Sequence, residues 1–351
     1  MVPKVLPEDQ KAARVKISRD LLNHCEKSTG NGGYGSSERI VCYFNSTNTL
    51  APEDIDISLC THLVYKAAVL DPTNNEVVPM RRMYDLGENG GKGMYKRTVE
   101  LKILKPELRV LLAIGTWDEG SIKFSSMAST GIGRRRFARS AVDFLRQHGF
   151  DGMSLDWEYP GRQGGGPDDK RNYDLLTFEL RIELDRHGLL LSGLLPQTRY
   201  WLEGYDMESV KRNFHYICLN TYNYWGPWWD YTGIAAALKD VEASVNLYLA
   251  KKVPSDMIVL GIPAYAQTAN LAYAFKNQRP QIIVGPGTEG PRSRTRGRLG
   301  YDEARFIVRE KLGGAMIMSI DSDDFRGIGS NGTFPLTRTL HRILHSREEE
   351  E

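Results

Sequence analysis

Cysteine is scarce. The four in 351 residues, Cys25, Cys42, Cys60 and Cys218, exclude a disulfide-rich framework, and their spacing fits no zinc site. Long apolar runs are missing too: none approaches the ~18 residues of a membrane helix, so no bilayer partner is expected. Neither charge sign is in excess. Lys and Arg total 46 against 44 Asp and Glu, a net charge of +2, which gives no reason to expect nucleic acid or a membrane surface as partner. The first residues, Met1 to Leu22, contain no apolar core of a secretory peptide. What is present is ordinary for a globular chain: 41% hydrophobic and 26% charged residues. This length suits two or three domains, or one α/β barrel.

Residues 1–37 end in the Gly/Ser/Asn-rich stretch Ser28–Gly35, read as a flexible extension. From Ile40 onward, short apolar runs alternate with amphipathic stretches. The runs are Ile40–Phe44, His62–Ala68, Val110–Gly115, Gly152–Asp156, Leu189–Leu194, Tyr216–Thr221, Met257–Ile262 and Gly314–Ser319. Helical periodicity falls on Arg135–Gln147, Tyr173–His187, Ile234–Ala250, Asp302–Lys311 and Leu336–Leu344. Eight such units predict a (β/α)8 barrel over 38–346, followed by the acidic tail 347–351. Gly285–Arg298 reads as a Gly/Pro/Arg loop between the last two strands. His341 and His345 share a helix face but lack a third ligand, so neither metal nor cofactor is expected. Cys42 and Cys60 fall at matching points of adjacent strands, where a bridge and a pair of reduced core thiols fit equally well.

In a barrel of this kind the chemistry lies just beyond the strand ends. The segment Phe150-Asp151-Gly152-Met153-Ser154-Leu155-Asp156-Trp157-Glu158-Tyr159-Pro160 stands out there. Strand alternation puts Ser154, Asp156 and Glu158 on one face and Met153, Leu155 and Trp157 on the other. Carboxylates two residues apart on one face are roughly 6–7 Å from each other, close enough for one to hold the other protonated as a general acid. A structural polar cluster is the competing reading, but Tyr43, Trp117, Tyr222 and Tyr265 at other strand ends favour a site.

The segment resembles the DGxDxDWEYP signature of glycoside hydrolase family 18, the chitinases and chitinase-like lectins. Val41–Phe44, Ser58–Leu63, Leu112–Trp117, Gly261–Tyr265, Gly313–Met316 and Asp321–Phe325 resemble the family's other strand motifs, in order, over about residues 38 to 345. The resemblance implies a disulfide between Cys42 and Cys60, an extracellular location, a monomer and chitin or N-acetylglucosamine oligosaccharides as partner. It also implies a substrate-assisted, retaining mechanism, an exception to the two-carboxylate scheme. On this chain Glu158 would be the acid and base, Asp156 the group that holds the acetamide N–H, and Tyr222 the donor to the acetamide oxygen. Tyr43, Trp117, Ser154, Asn223, Tyr265 and Met318 would contact substrate.

Several positions depart from the family pattern. Ser154 stands for the usual first Asp, Asn223 for Asp, Met318 for the tryptophan under the central sugar, Ala67 for Phe and Gln267 for Arg. The α+β insertion common before the last strand is expected to be missing. With Ser154 in place of a carboxylate, Asp156 is expected to stay ionised to low pH, and its charge to raise the Glu158 pKa. Intact Glu158, Asp156 and Tyr222 imply a hydrolase. Met318, Ser154 and the missing insertion imply a lectin with little or no turnover, and a barrel kept as a signalling protein is a third reading.

Overall fold

The computed structural model describes residues 39–46, 50–226, 228–233, 236–265, 269–272, 282–286, 314–327 and 332–345. Eight parallel strands form a closed barrel: β1 (Arg39–Asn45), β2 (His62–Asp71), β4 (Arg109–Ile114), β5 (Gly152–Leu155), β6 (Leu190–Leu195), β7 (Tyr216–Leu219), β8 (Ile258–Pro263) and β11 (Gly314–Met318). Closure comes from β1, which pairs with β11 through Val41↔Met316 and Tyr43↔Met318, and with β2 through Val41↔His62. The predicted (β/α)8 barrel is therefore the observed fold, and each of the eight predicted runs is one of its strands.

Among the described residues, three further strands lie outside the barrel. β3 (Glu76–Pro79) turns back antiparallel on β2, which runs past the barrel to Asp71. β9 (Ala269–Leu271) and β10 (Ile283–Pro286) form a separate antiparallel pair between β8 and β11. Gly285 and Pro286, read from the sequence as the start of a loop, thus end a strand. Among the described residues this pair is the secondary structure between β8 and β11. Cys25, Gln267, the predicted helix Asp302–Lys311 and the acidic tail lie outside the described residues.

The helices follow their apolar spacing. In Gly131–His148, Phe137, Ala138, Ala141, Val142 and Leu145 fall on one face and are buried. The Thr130 hydroxyl accepts from the Gly133 amide at 3.0 Å to cap its start, and Gly149 ends it in the left-handed region at φ 76°. The predicted helix from Tyr173 spans Asp169–Asp185, and Leu238–Ala250 begins four residues after the predicted Ile234. The last helix, Pro335–His345, packs against the barrel beside β11.

Alternation along each strand divides the apolar side chains between two cores. Ile40, Cys42 and Phe44 of β1 face the helices, while Val41 and Tyr43 face the lumen with Val64, Leu111, Ala113, Cys218, Val259 and Met316. Cys42 is bridged to Cys60, with Cα atoms 6.0 Å apart, as the family resemblance implied; Cys218 is a buried free thiol. The bridge closes a short loop, 18 residues of separation, between the first two strands. Replacing Cys42 and Cys60 together by Ala is expected to cost about 3 kcal/mol of stability, mainly by freeing the unfolded chain. Non-reducing thermal denaturation checks this, and an unchanged midpoint would mean that the bridge carries no stability.

Candidate active site

The β5 strand rises to the C-terminal mouth of the barrel and carries the central residues. Met153, Leu155 and Trp157 belong to the outer core, so Ser154, Asp156 and Glu158 take the lumen face, as alternation predicts. The Asp156 amide donates to the Ile114 carbonyl at 2.9 Å, which continues the β4–β5 ladder one residue past the strand end. Gly115 makes that approach possible. At φ 105°, a Cβ on it would lie 2.6 Å from the Asp156 carbonyl oxygen. Trp157 anchors the outer face, stacked on Phe124 at 5.5 Å and donating from Nε1 to Ser121 Oγ at 3.0 Å.

A hydrogen-bonded relay holds the middle carboxylate. Ser154 Oγ donates to Asp156 Oδ1 at 2.6 Å and is 2.8 Å from the Tyr43 hydroxyl. The serine has one proton to give, so Tyr43 donates to Ser154. Tyr43 is only 1% exposed. Within the lumen it supports Asp156 through Ser154. Asp156 Oδ2 is buried with no hydrogen-bond partner, although the Leu194 amide still acts on the carboxylate.

The two carboxyl groups share a dry environment. Burial pushes Asp156 up to about 7; the Lys66 ammonium and the Ser154 hydroxyl oppose it, and Glu158 adds to it. Asp156 therefore does not stay ionised to low pH. The serine hydrogen bond acts in the expected direction, but the loss of water around a fully buried carboxylate outweighs it. Glu158, 5% exposed, is also raised, first by burial. Lys66 and the Tyr159 hydroxyl pull it down, and Asp118 pushes it up. The cause expected from the sequence, the Asp156 charge, is not the leading one.

Aromatic side chains surround the mouth. Trp117 follows β4 with half of its surface exposed, its ring edge-on to Tyr159 at 5.6 Å. Tyr222, beyond β7, is buried edge-on to Tyr265 at 6.1 Å. Gly261 on β8 leaves room for it, because a Cβ there would meet the Leu219 carbonyl and crowd the Tyr222 ring at 3.1 Å. Asn223 takes the left-handed backbone at φ 61°, and its Oδ1 accepts from the Tyr265 hydroxyl at 3.0 Å. Met318 ends β11 beside Tyr43 and Pro263, packed into the lumen cluster.

The structure thus gathers Ser154, Asp156, Glu158, Tyr43, Tyr222, Asn223, Tyr265 and Met318 around one end of the lumen, with Trp117 at the rim. Sequence reasoning missed Lys66. The signal was available: on β2, His62, Val64 and Lys66 alternate toward the lumen, and a cation in a central parallel strand requires a partner.

The sequence profile described as Glycosyl hydrolases family 18 matches residues 39–305, and the chain belongs to that family. Probable chitinase 2 of Drosophila melanogaster is 37% identical over 280 residues, an alignment covering 75% of this chain and 57% of that relative. The chain thus spans little more than half the length of that protein. The Ostrinia furnacalis group II chitinase catalytic domain 2 superposes with a TM-score of 0.81 at 27% identity, covering 88% of this chain and 97% of that one. Human YKL-39, described as a pseudo-chitinase with retained chitooligosaccharide binding, superposes at 0.76 with 26% identity, covering 88% and 100%. Membership supports a glycosidase fold, and the residues of the site divide cleavage from binding.

Proposed function

We propose that the protein is a chitinase-type hydrolase that cleaves β-1,4 linkages between N-acetylglucosamine units with retention of configuration. The observation that carries this reading is the pair of buried lumen-face carboxyl groups, Asp156 and Glu158, both raised above their ordinary range. Glu158, holding a proton, gives it to the glycosidic oxygen as the bond to the anomeric carbon breaks. The acetamide carbonyl of the same sugar attacks that carbon, and an oxazolinium ion results. The acetamide N–H donates to the Asp156 carboxylate, and the Asp156 negative charge stabilises the cation as it forms. Tyr222 steadies the acetamide oxygen for attack. Glu158 then takes a proton from water, which opens the oxazolinium from the face that the leaving group vacated.

Trp117 supplies an exposed ring for a pyranose face, and Asn223, Tyr265 and Met318 complete the cleft wall. The Cys42–Cys60 bridge supports an extracellular setting, where disulfides persist. The chain acts as a monomer, one barrel over residues 38–346.

A second reading, a lectin with little or no turnover, is favoured by Met318. A thioether is apolar but offers no flat face to a sugar ring. Met318→Trp is expected to tighten chitooligosaccharide binding by about 0.5–1.5 kcal/mol. Calorimetry with a tetrasaccharide checks it, and equal affinities would remove Met318 from the cleft wall. The two readings part in one paired assay, fluorophore release from a chitobioside alongside retention on chitin beads. Turnover with retention supports the hydrolase. Retention without turnover supports the lectin, and neither would leave the barrel as a signalling or interaction protein.

A further inference from the structure

Lys66 lies in the same layer of the barrel wall as the catalytic segment. The register runs Lys66↔Ala113 from β2 to β4 and Ala113↔Ser154 from β4 to β5. Two strand spacings, about 10 Å, separate Lys66 from Ser154. The residue between them, Ala113, faces the lumen with a single methyl group. Ala67, also in the lumen cluster, leaves the space that the family's usual phenylalanine would fill. The flexible stem of a lysine can therefore cross over Ala113 toward the strand that carries Asp156 and Glu158. Lys66 itself is part-buried, and its ammonium acts on both carboxylates.

The surroundings of the pair are otherwise neutral or acidic. Asp156 is faced by Ser154 and Glu158 on its own segment, Tyr43 from β1, Tyr216 and Cys218 from β7, and Tyr173 from the helix Asp169–Asp185. Glu158 is faced by Tyr159, by Tyr222, by Tyr205 and by Asp118 after β4. Burial pushes those tyrosines and the Cys218 thiol upward, so all remain uncharged at neutral pH. Two carboxylates cannot share such a pocket as anions without a counter-charge. Among the described residues, Lys66 is the cation that acts on both.

We propose that Lys66 is a positioning residue of this site, the counter-charge that lets one carboxylate of the buried pair stay ionised while the other keeps its proton. Its consequence for turnover rests on the hydrolase reading, because that mechanism needs an Asp156 anion beside a protonated Glu158. With the ammonium gone, burial would push both groups further toward their protonated forms, and the cation formed on the sugar would lose negative charge opposite it.

The test separates the two claims. The side-chain carboxyl carbons of the whole protein are titrated by NMR in wild type, Lys66→Met, Lys66→Gln and Lys66→Arg, with Asp156→Asn used to assign the Asp156 signal. In the Met and Gln variants the Asp156 midpoint is expected to rise by about one pH unit or more, a roughly tenfold smaller ratio of ionised to protonated form at neutral pH. Lys66→Arg should return it to the wild-type position. The acidic limb of kcat/KM on a chitobioside should move by the same amount and recover in the Arg variant. Unchanged midpoints in both neutral variants would overturn the proposal. Midpoints that move while no form of the protein, wild type included, turns over the chitobioside would leave Lys66 as the counter-charge and remove the hydrolase reading.

Discussion

Glu158→Gln is expected to slow fluorophore release from a chitobioside by at least ~10²-fold while chitin binding survives. The amide keeps the shape and hydrogen-bonding reach of the carboxyl but has no proton to give to the glycosidic oxygen and cannot take one from water. Both half-reactions are lost together, so kcat should fall with little change in affinity for chitooligosaccharides. Burial shifts the Glu158 pKa upward, the direction that a general acid requires. Activity near wild type in this variant would sink the assignment of Glu158 as acid and base. Loss of binding along with turnover would point to a damaged cleft, which a melting curve would reveal.

Asp156→Asn should give effects of opposite sign on activity and on stability. Removing the negative charge that faces the developing oxazolinium is expected to cost about 10²–10³-fold in turnover. Stability should move the other way above neutral pH. The folded-state pKa of about 7 lies above the ordinary 3.8, so between these values the folded protein holds a proton that the unfolded chain has released. The stabilisation is full below pH 3.8 and is lost as the pH rises through about 7, where folding forces a bare carboxylate into the lumen. Asparagine keeps a polar group opposite Ser154 and has no charge to bury. Asp156→Asn should therefore match wild type near pH 4 and exceed it near pH 8, by roughly 2–4 kcal/mol. Chemical denaturation at the two pH values measures this. A wild-type protein no less stable than the variant at the higher pH would show that Asp156 pays no burial cost.

Much of the fold was legible because strand alternation and helical periodicity are local properties. Ile40–Phe44 announces itself as a buried parallel strand through an unbroken apolar run, and the face of Ser154, Asp156 and Glu158 follows from period two alone. The pairing of Cys42 with Cys60 was not local. Spacing left it open, and only the family resemblance pointed to the bridge that β1 and the approach to β2 then close. β3, β9 and β10 were missed because short antiparallel strands carry too few residues for a clear pattern.

What only the tertiary structure decided is electrostatic. From the chain, Ser154 beside Asp156 suggested a carboxylate kept ionised by a hydrogen bond. Closure of eight strands removes water from that carboxylate altogether, and desolvation, which no neighbour in sequence encodes, outweighs the hydroxyl. The same barrel wall brings Lys66, ninety residues earlier than Asp156, into the register of Ser154, two strands away across the small Ala113. The sequence by itself determined which side chains face inward and which chemistry they could bring. How strongly each is charged there depends on distances across the barrel and on the absence of solvent, and those exist only once the sheet has closed.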